Sequence, residues 1–177
     1  MEIIIVRHGE SEANKAGTTG GDTDLTREGR LQAQGLAERL AGLGIEAIYC
    51  SPLKRTSQTA QPLADNINKQ LIIDKRIAEV NWGDFDGKDE KLFIKAIGMH
   101  PRDCLDTYSY DFRSYNGESS SDVEARVKSF VEDLKEQPYK LVLVVCHGGI
   151  VRWLHYIITG DKIGWQPNAE ALHLKTK

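Results

Sequence analysis

Three polar clusters in this chain carry the residue types needed to cleave a phosphate monoester: Arg7-His8-Gly9, the run from Ser51 to Arg55, and His147-Gly148-Gly149. That reaction requires positive charge on the phosphoryl oxygens, a nucleophile in line with the breaking bond, and a proton for the departing oxygen. The guanidinium forks of Arg7 and Arg55 match phosphate oxygens in a bidentate way that lysine does not. Guanidinium groups beside His8 would depress its pKa and keep its imidazole neutral and nucleophilic, while Gly9 leaves room for a substrate. His147 could donate to phosphate oxygens, and a helix opening at Gly148-Gly149 would present further N–H donors. Taken singly, each has an ordinary explanation: a hydrogen-bonded histidine at a sheet edge, a surface arginine, a solvated glutamate. The case rests on their convergence.

Convergence depends on the elements that carry these clusters. Ile3–Val6 is a short β-branched run stopping at Arg7-His8-Gly9, which reads as a buried strand entering a loop. From Thr26, a natural cap, the pattern turns helical, with Ala33, Leu36, Ala37, Leu40 and Leu43 on one face and Gly44 at the end. Ile45–Cys50 reads as a second strand, closed by Ser51-Pro52; Ala60, Leu63, Ala64 and Ile67 mark a second helix, and Leu71–Asp74 a brief third strand. Val123, Val127, Phe130, Val131 and Leu134 mark another amphipathic helix, and Leu141–Cys146 is a strand apolar on both faces that runs into His147. Such continuous apolar strands belong in the centre of a sheet covered on both sides. Alternating strands and helices predict an α/β fold with a largely parallel sheet, whose ligands sit beyond the carboxyl ends of the strands. All three polar clusters are expected there.

The order of motifs resembles the histidine phosphatase (phosphoglycerate mutase-like) superfamily, branch 1. Arg7-His8-Gly9-Glu10 resembles its RHG signature, with Ser11 and Asn14 in the continuation. Leu25-Thr26, Gly29 and Gln32-Ala33 resemble its LT-x-x-G-x-x-QA helix start, and Ser51 to Ala60 its S-x-L-x-R-[A/T]-x-Q-T-A motif. Glu79 with Trp82-Gly83-Asp84-Phe85-Asp86-Gly87, then Gly117-Glu118-Ser119 with Arg126, and His147-Gly148-Gly149 complete the order. In size the chain is nearest the small phosphatases such as α-ribazole phosphatase-like proteins. The resemblance implies a three-layer α/β/α sandwich with a mostly parallel central sheet and one antiparallel edge strand, placed near Ala169–Leu174. It implies that His8 is phosphorylated, that Arg7, Arg55 and His147 form the phosphate pocket, and that Glu79 is the proton donor. Asn14, Gly20, Gly21 and Gly148 are expected to add phosphate contacts. A neighbouring phosphate dianion would raise the Glu79 pKa and keep it protonated, which gives that role independent sense.

The sequence departs from the family in two places. The stretch Gly20-Gly21-Asp22-Thr23-Asp24-Leu25-Thr26 lacks the glutamine and proline of the usual Q-G-x-x-D-x-P-L-T. Phosphoglycerate mutases carry an adjacent arginine pair, whereas this chain has Lys88, Lys91, Lys95, Arg102 and Arg113 scattered. Hydrolysis of a small phosphorylated metabolite through a phosphohistidine is therefore expected over mutase-type transfer. A phosphohistidine or phosphoprotein phosphatase and a non-catalytic phosphate-binding module are further alternatives. Cys146-x5-Arg152 also satisfies the loop pattern of cysteine-dependent phosphatases, but that reading leaves Arg7-His8 and Arg55 unexplained. A metal site on His8, His147 and Glu79 is disfavoured by two arginines beside a dication and by the lack of metal-ligand spacing, so neither metal nor cofactor is expected.

Bulk properties agree. The 177 residues suit one domain over 1–177, with a lid or specificity region at about 82–121 whose aromatics would suit a planar or sugar-bearing leaving group or serve as packing. A net charge of −3 argues against nucleic acid or an anionic membrane as partner and leaves a small phosphomonoester; oligomeric state is not legible. An odd number of cysteines, three, and no apolar run of membrane length make a cytoplasmic location the expectation.

Overall fold

The computed structural model describes residues 1–176, so Lys177, the last residue of the expected domain, lies outside the described residues. In chain order the elements are β1 (Glu2–Arg7), α1 (Glu12–Ala16), β2 (Thr18–Thr19), α2 (Arg27–Leu40), β3 (Ala47–Cys50), α3 (Lys54–Asn66) and β4 (Leu71–Ile73). They continue with β5 (Lys88–Asp89), α4 (Glu90–Ile97), α5 (Pro101–Asp106), α6 (Ser120–Lys135), β6 (Leu141–Cys146), α7 (Gly148–Thr159) and β7 (Ala171–Lys175). The main sheet has five strands in the order β4-β3-β6-β1-β7. β1 pairs parallel with β6, β6 with β3 and β3 with β4, while β7 runs antiparallel along β1 with Val6 opposite Ala171. The expected fold class, reversed edge strand included, is the observed one.

Two hydrophobic clusters cover the two faces. Ile4, Val6, Ile48, Leu143 and Val145 pack under Leu36, Ala37, Ala60 and Leu63 of α2 and α3. Ile3, Ile5, Val142 and Val144 face Val127, Phe130, Val151 and Leu154 of α6 and α7. Residues that alternate along β1 and β6 thus serve opposite layers, which is why both strands read as apolar throughout. Because β1 and β6 are adjacent and parallel, Arg7 lies opposite Cys146, and His8 and His147 leave the sheet side by side.

Several local expectations need correction. Leu43, placed on the buried stripe of α2, is exposed: after Leu40 the helix tightens into a 3-10 turn over Ala41–Leu43, whose shorter period carries that side chain off the stripe. β3 begins at Ala47 rather than Ile45, and Arg55 is not at a strand end but in the first turn of α3. Of the two readings for the aromatics of 82–121, packing is the one observed for most of them. Trp82, Phe85, Phe93, Tyr110 and Phe112 stack on one another with ring centroids 5.1–5.4 Å apart and join the cluster under α6 and α7. Trp82 alone among these five also reaches the site described below.

The start of α2 is pressed against the loop that follows β1. A Cβ on Gly9 would lie 2.6 Å from the Gly29 carbonyl oxygen, and one on Gly29 would overlap the Glu10 carbonyl. Since these neighbours are backbone, they cannot swing aside. Gly29→Ala is expected to lower stability by about 2 kcal/mol or more, read as a drop in the thermal midpoint. An unchanged midpoint would mean that loop and helix are not in contact.

Candidate active site

The carboxyl ends of β1, β3 and β6 open into a cleft lined by Arg7, His8, Asn14, Gly20, Arg55 and Glu79. Its wall is completed by side chains the sequence did not single out, among them Thr19, Glu90, His100 and Trp165.

His8 is 3% exposed, and its orientation is fixed at both ring nitrogens. Nδ1 lies 2.7 Å from the Gly9 carbonyl oxygen, which can only accept, so the proton resides on Nδ1. Nε2 then carries the lone pair, and it accepts from Arg55 Nε–H at 3.1 Å. Burial, then Arg55 and Arg7, push the imidazole pKa well below 6.5. The ring is neutral near pH 7, with its nucleophilic nitrogen pointed at a guanidinium.

The loop holding this ring leaves few backbone donors idle. His8 N–H donates to the Cys146 carbonyl at 3.0 Å and Gly9 N–H to Thr59 Oγ1 at 2.9 Å. Glu10 N–H donates to Gln32 Oε1 and Leu25 N–H to Gln58 Oε1, both at 2.8 Å. The glutamines and threonine of the two helical motifs therefore brace the loop backbone, an obligation any buried irregular segment must meet. Asn168 Nδ2 donates to the His8 carbonyl at 2.8 Å and to Asn14 Oδ1 at 3.3 Å, tying in a loop far along the chain.

Both arginines are buried and held. Arg55 donates through Nη1 to the Gly21 carbonyl, and burial lowers its pKa against the opposing pull of Glu79. Arg7 donates through Nη1 to the Gln166 carbonyl at 2.9 Å and lies 4.6 Å over the Trp165 ring, while its Nε has no protein partner. Burial lowers the Arg7 pKa to about 10, with Arg102 and Arg55 acting the same way and Glu79 opposing, so it stays charged at neutral pH. The Thr19 hydroxyl is also buried without a partner. Unpaired buried donors around one cleft suit an anion rich in acceptor oxygens.

Glu79 stands between these cations, with Oε1 accepting from Val80 N–H at 3.0 Å. Burial raises its pKa above 4.5 and outweighs that hydrogen bond, Arg55, Arg7 and Arg126. Arg126 fixes its backbone: Nη1 donates to the Arg76 and Ala78 carbonyls at 2.6 and 2.8 Å, and Nη2 to the Glu79 carbonyl at 3.2 Å. The same guanidinium pairs with Glu118 at 2.9 Å, which accounts for the Glu118 and Arg126 positions of the motif.

His147, Gly148 and Gly21 do not line the cleft. His147 lies behind His8, its ring edge-on at 5.2 Å, with Nε2 2.7 Å from Ser51 Oγ and Nδ1 lacking a protein partner. Gly148 packs against Trp165, where a Cβ would press into the indole. The Gly21 N–H, expected to meet phosphate, is already given to Asp86 Oδ1 at 3.0 Å. The cysteine reading fails on access and charge: Cys146 is fully buried, and burial pushes its thiol pKa well above 9. Its supposed partner Arg152 is turned into the fold and paired with Asp106. Among the described residues no three His, Cys, Asp or Glu side chains are grouped to hold a metal ion, and no helix is long and apolar enough to cross a membrane.

Comparison with known proteins follows the same lines. Residues 3–170 match the family model described as histidine phosphatase superfamily (branch 1). A phosphoserine phosphatase of Hydrogenobacter thermophilus is 33% identical over 173 residues, covering 90% of this chain and 77% of the relative. The solved structure of a mycobacterial glucosyl-3-phosphoglycerate phosphatase superposes with a TM-score of 0.85 at 26% identity, covering 98% of this chain and 90% of that one. The α-ribazole phosphatase of Shigella flexneri gives a TM-score of 0.78 at 26% identity, covering 90% and 80%. Sheet order, cleft and family match together make this chain a member of the histidine phosphatase superfamily, branch 1.

Proposed function

We propose that the chain hydrolyses a small phosphomonoester in two steps at His8, and the observation that carries this reading is the tautomer of that ring. A lone pair on Nε2, among cations and beside a carboxyl group with a raised pKa, is an in-line nucleophile paired with a general acid. In the first step Nε2 attacks phosphorus, the bond to the leaving oxygen breaks, and the Glu79 proton passes to that oxygen. Arg55 Nε–H transfers its hydrogen bond from Nε2 to a phosphoryl oxygen as the substrate arrives, freeing the lone pair. In the second step the Glu79 carboxylate takes a proton from water, the water oxygen attacks phosphorus, and the P–N bond breaks to release phosphate and restore His8.

Arg7, Arg55, Asn14, Thr19 and the backbone of Gly20 hold the phosphoryl oxygens in this reading, and their fixed charge stabilises the equatorial oxygens in both transition states. Ser51 Oγ, which accepts from Leu53 N–H at 3.3 Å, lies 2.7 Å from His147 Nε2 and holds that ring edge-on behind His8. Residues 1–177 act as one catalytic domain, and the buried thiols Cys50, Cys104 and Cys146, none in a disulfide, suit the cytoplasm. The phosphatases it resembles are named for small phosphorylated substrates, and a substrate of that kind is assigned here.

Turnover of p-nitrophenyl phosphate in the presence of a chelator tests the reading. Steady hydrolysis, inhibited competitively by vanadate, is expected. Absence of turnover, or turnover only on adding a divalent metal, overturns it.

A further inference from the structure

Arg7 is a buried cation, yet among the described residues it forms no ion pair. What holds it is the loop before β7. Ala169 N–H donates to the Arg7 carbonyl at 2.9 Å, and the Gln166 carbonyl accepts from Arg7 Nη1 at the same distance. Trp165, the residue before Gln166, supplies the third contact: the Arg7 guanidinium carbon lies over its indole, 4.6 Å from the ring centre. The ring is itself seated at Gly148, the first residue of α7, where a Cβ would come within 2.7 Å of Cζ2 and Cζ3.

An aromatic partner and an acidic one would do opposite things to this arginine. A carboxylate would take its N–H groups and cancel its charge, which disables it toward phosphate. A π face attracts the cation through its quadrupole and leaves the N–H groups, which lie in the guanidinium plane, free to donate. Arg7 Nε is buried without a protein partner, and among the described residues only Nη1 donates to a protein acceptor. The attraction also works against repulsion from neighbouring cations. Arg102 and Arg152 lie 5.1 and 5.4 Å from the centre of the same ring, and Arg102 and Arg55 both depress the Arg7 pKa.

We infer that Trp165 is a positioning residue of the phosphate site, its indole face keeping the Arg7 guanidinium turned so that its unshared N–H groups meet the phosphoryl group. This rests on the phosphatase reading above and adds a residue to it. Trp165 lines the cleft, but it acts through Arg7 and not on the reacting atoms.

The test measures vanadate affinity by calorimetry and kcat/KM for p-nitrophenyl phosphate. It compares the wild type with Trp165→Phe, Trp165→Leu, Arg7→Gln and the double variant Trp165→Leu/Arg7→Gln. Trp165→Phe keeps a π face and is expected to stay within about threefold of wild type. Trp165→Leu loses it and should bind vanadate roughly tenfold more weakly, with kcat/KM falling by a similar factor. In the Arg7→Gln background, with no guanidinium left to turn, leucine at 165 should weaken vanadate binding by no more than about twofold further. If leucine lowers the thermal midpoint, Trp165→Met, longer and also without a π face, takes its place in the comparison. Equal losses for the phenylalanine and aliphatic variants, or an aliphatic penalty undiminished beside Arg7→Gln, overturn the inference. A wild type that neither binds vanadate nor turns over p-nitrophenyl phosphate would instead reject the underlying phosphatase assignment.

Discussion

Replacing His8 by alanine should lower kcat by a factor on the order of 10⁴ or more, for every phosphomonoester, with little change in stability to explain it. The imidazole is a neutral, oriented nucleophile in the cleft: its proton is spent on the Gly9 carbonyl and its lone pair faces Arg55. Removing it leaves Arg7 and Arg55 in place, so the variant should still bind inorganic phosphate or vanadate while failing to turn over substrate. Cys146→Ser provides the contrast. That sulfur is buried in the sheet with a thiol pKa far above the neutral range, and its loss should leave turnover within a few-fold of wild type. Activity lost with Cys146 and retained without His8 would reverse the assignment.

Glu79→Gln should cost about 10²–10⁴ in kcat with an alkyl phosphate, and distinctly less with p-nitrophenyl phosphate, whose leaving oxygen needs little protonation. With the aryl ester the first step survives and the second, which needs a base for water, becomes limiting, so phosphoenzyme should accumulate after a burst. The pH dependence follows from opposite shifts. Glu79, raised above 4.5 by burial, must be protonated to act as acid, so kcat/KM falls as pH rises through its pKa. His8, lowered below 6.5 by burial and by Arg55 and Arg7, must be unprotonated to attack, so kcat/KM falls as pH drops through its pKa. A bell results, and the glutamine variant should lose its alkaline limb while keeping the acid one. A profile in which Glu79→Gln leaves the alkaline limb intact would assign that proton to another group.

Much of this was legible because the strongest elements of the sequence are also those that carry the site. β1 and β6 are apolar on both faces, and the polar residues that follow them had to lie together at one end of a parallel sheet. Resemblance to a family then ordered the remaining motifs, and the structure supplies the reason for residues outside the cleft lining: Gln32, Gln58 and Thr59 satisfy loop N–H groups, and Arg126 holds the backbone at Glu79. What stayed hidden is short or distant. β2 and β5 are two residues each and find one another across the chain, Thr19 opposite Lys88, a pairing with no periodicity to read. α1 and α5 are only five and six residues long, and their start signals, the Ser11 capping box and Pro101 after His100, stand without an apolar repeat behind them. Trp165 lies in a loop with no motif around it; its place beneath Arg7 and Arg102 is a tertiary fact. Gly21 and Gly148 were assigned to phosphate by pattern, yet the first has its N–H taken by Asp86 and the second is covered by Trp165.

The most direct measurement is to quench the enzyme during turnover in base, where phosphohistidine survives, and to determine by NMR which ring nitrogen of His8 bears phosphorus. Because Nδ1 holds its proton against the Gly9 carbonyl, phosphate must appear on Nε2 of His8, with the label lost on acid treatment. Phosphate on Nδ1, on another residue, or on none under conditions of steady turnover would contradict the account.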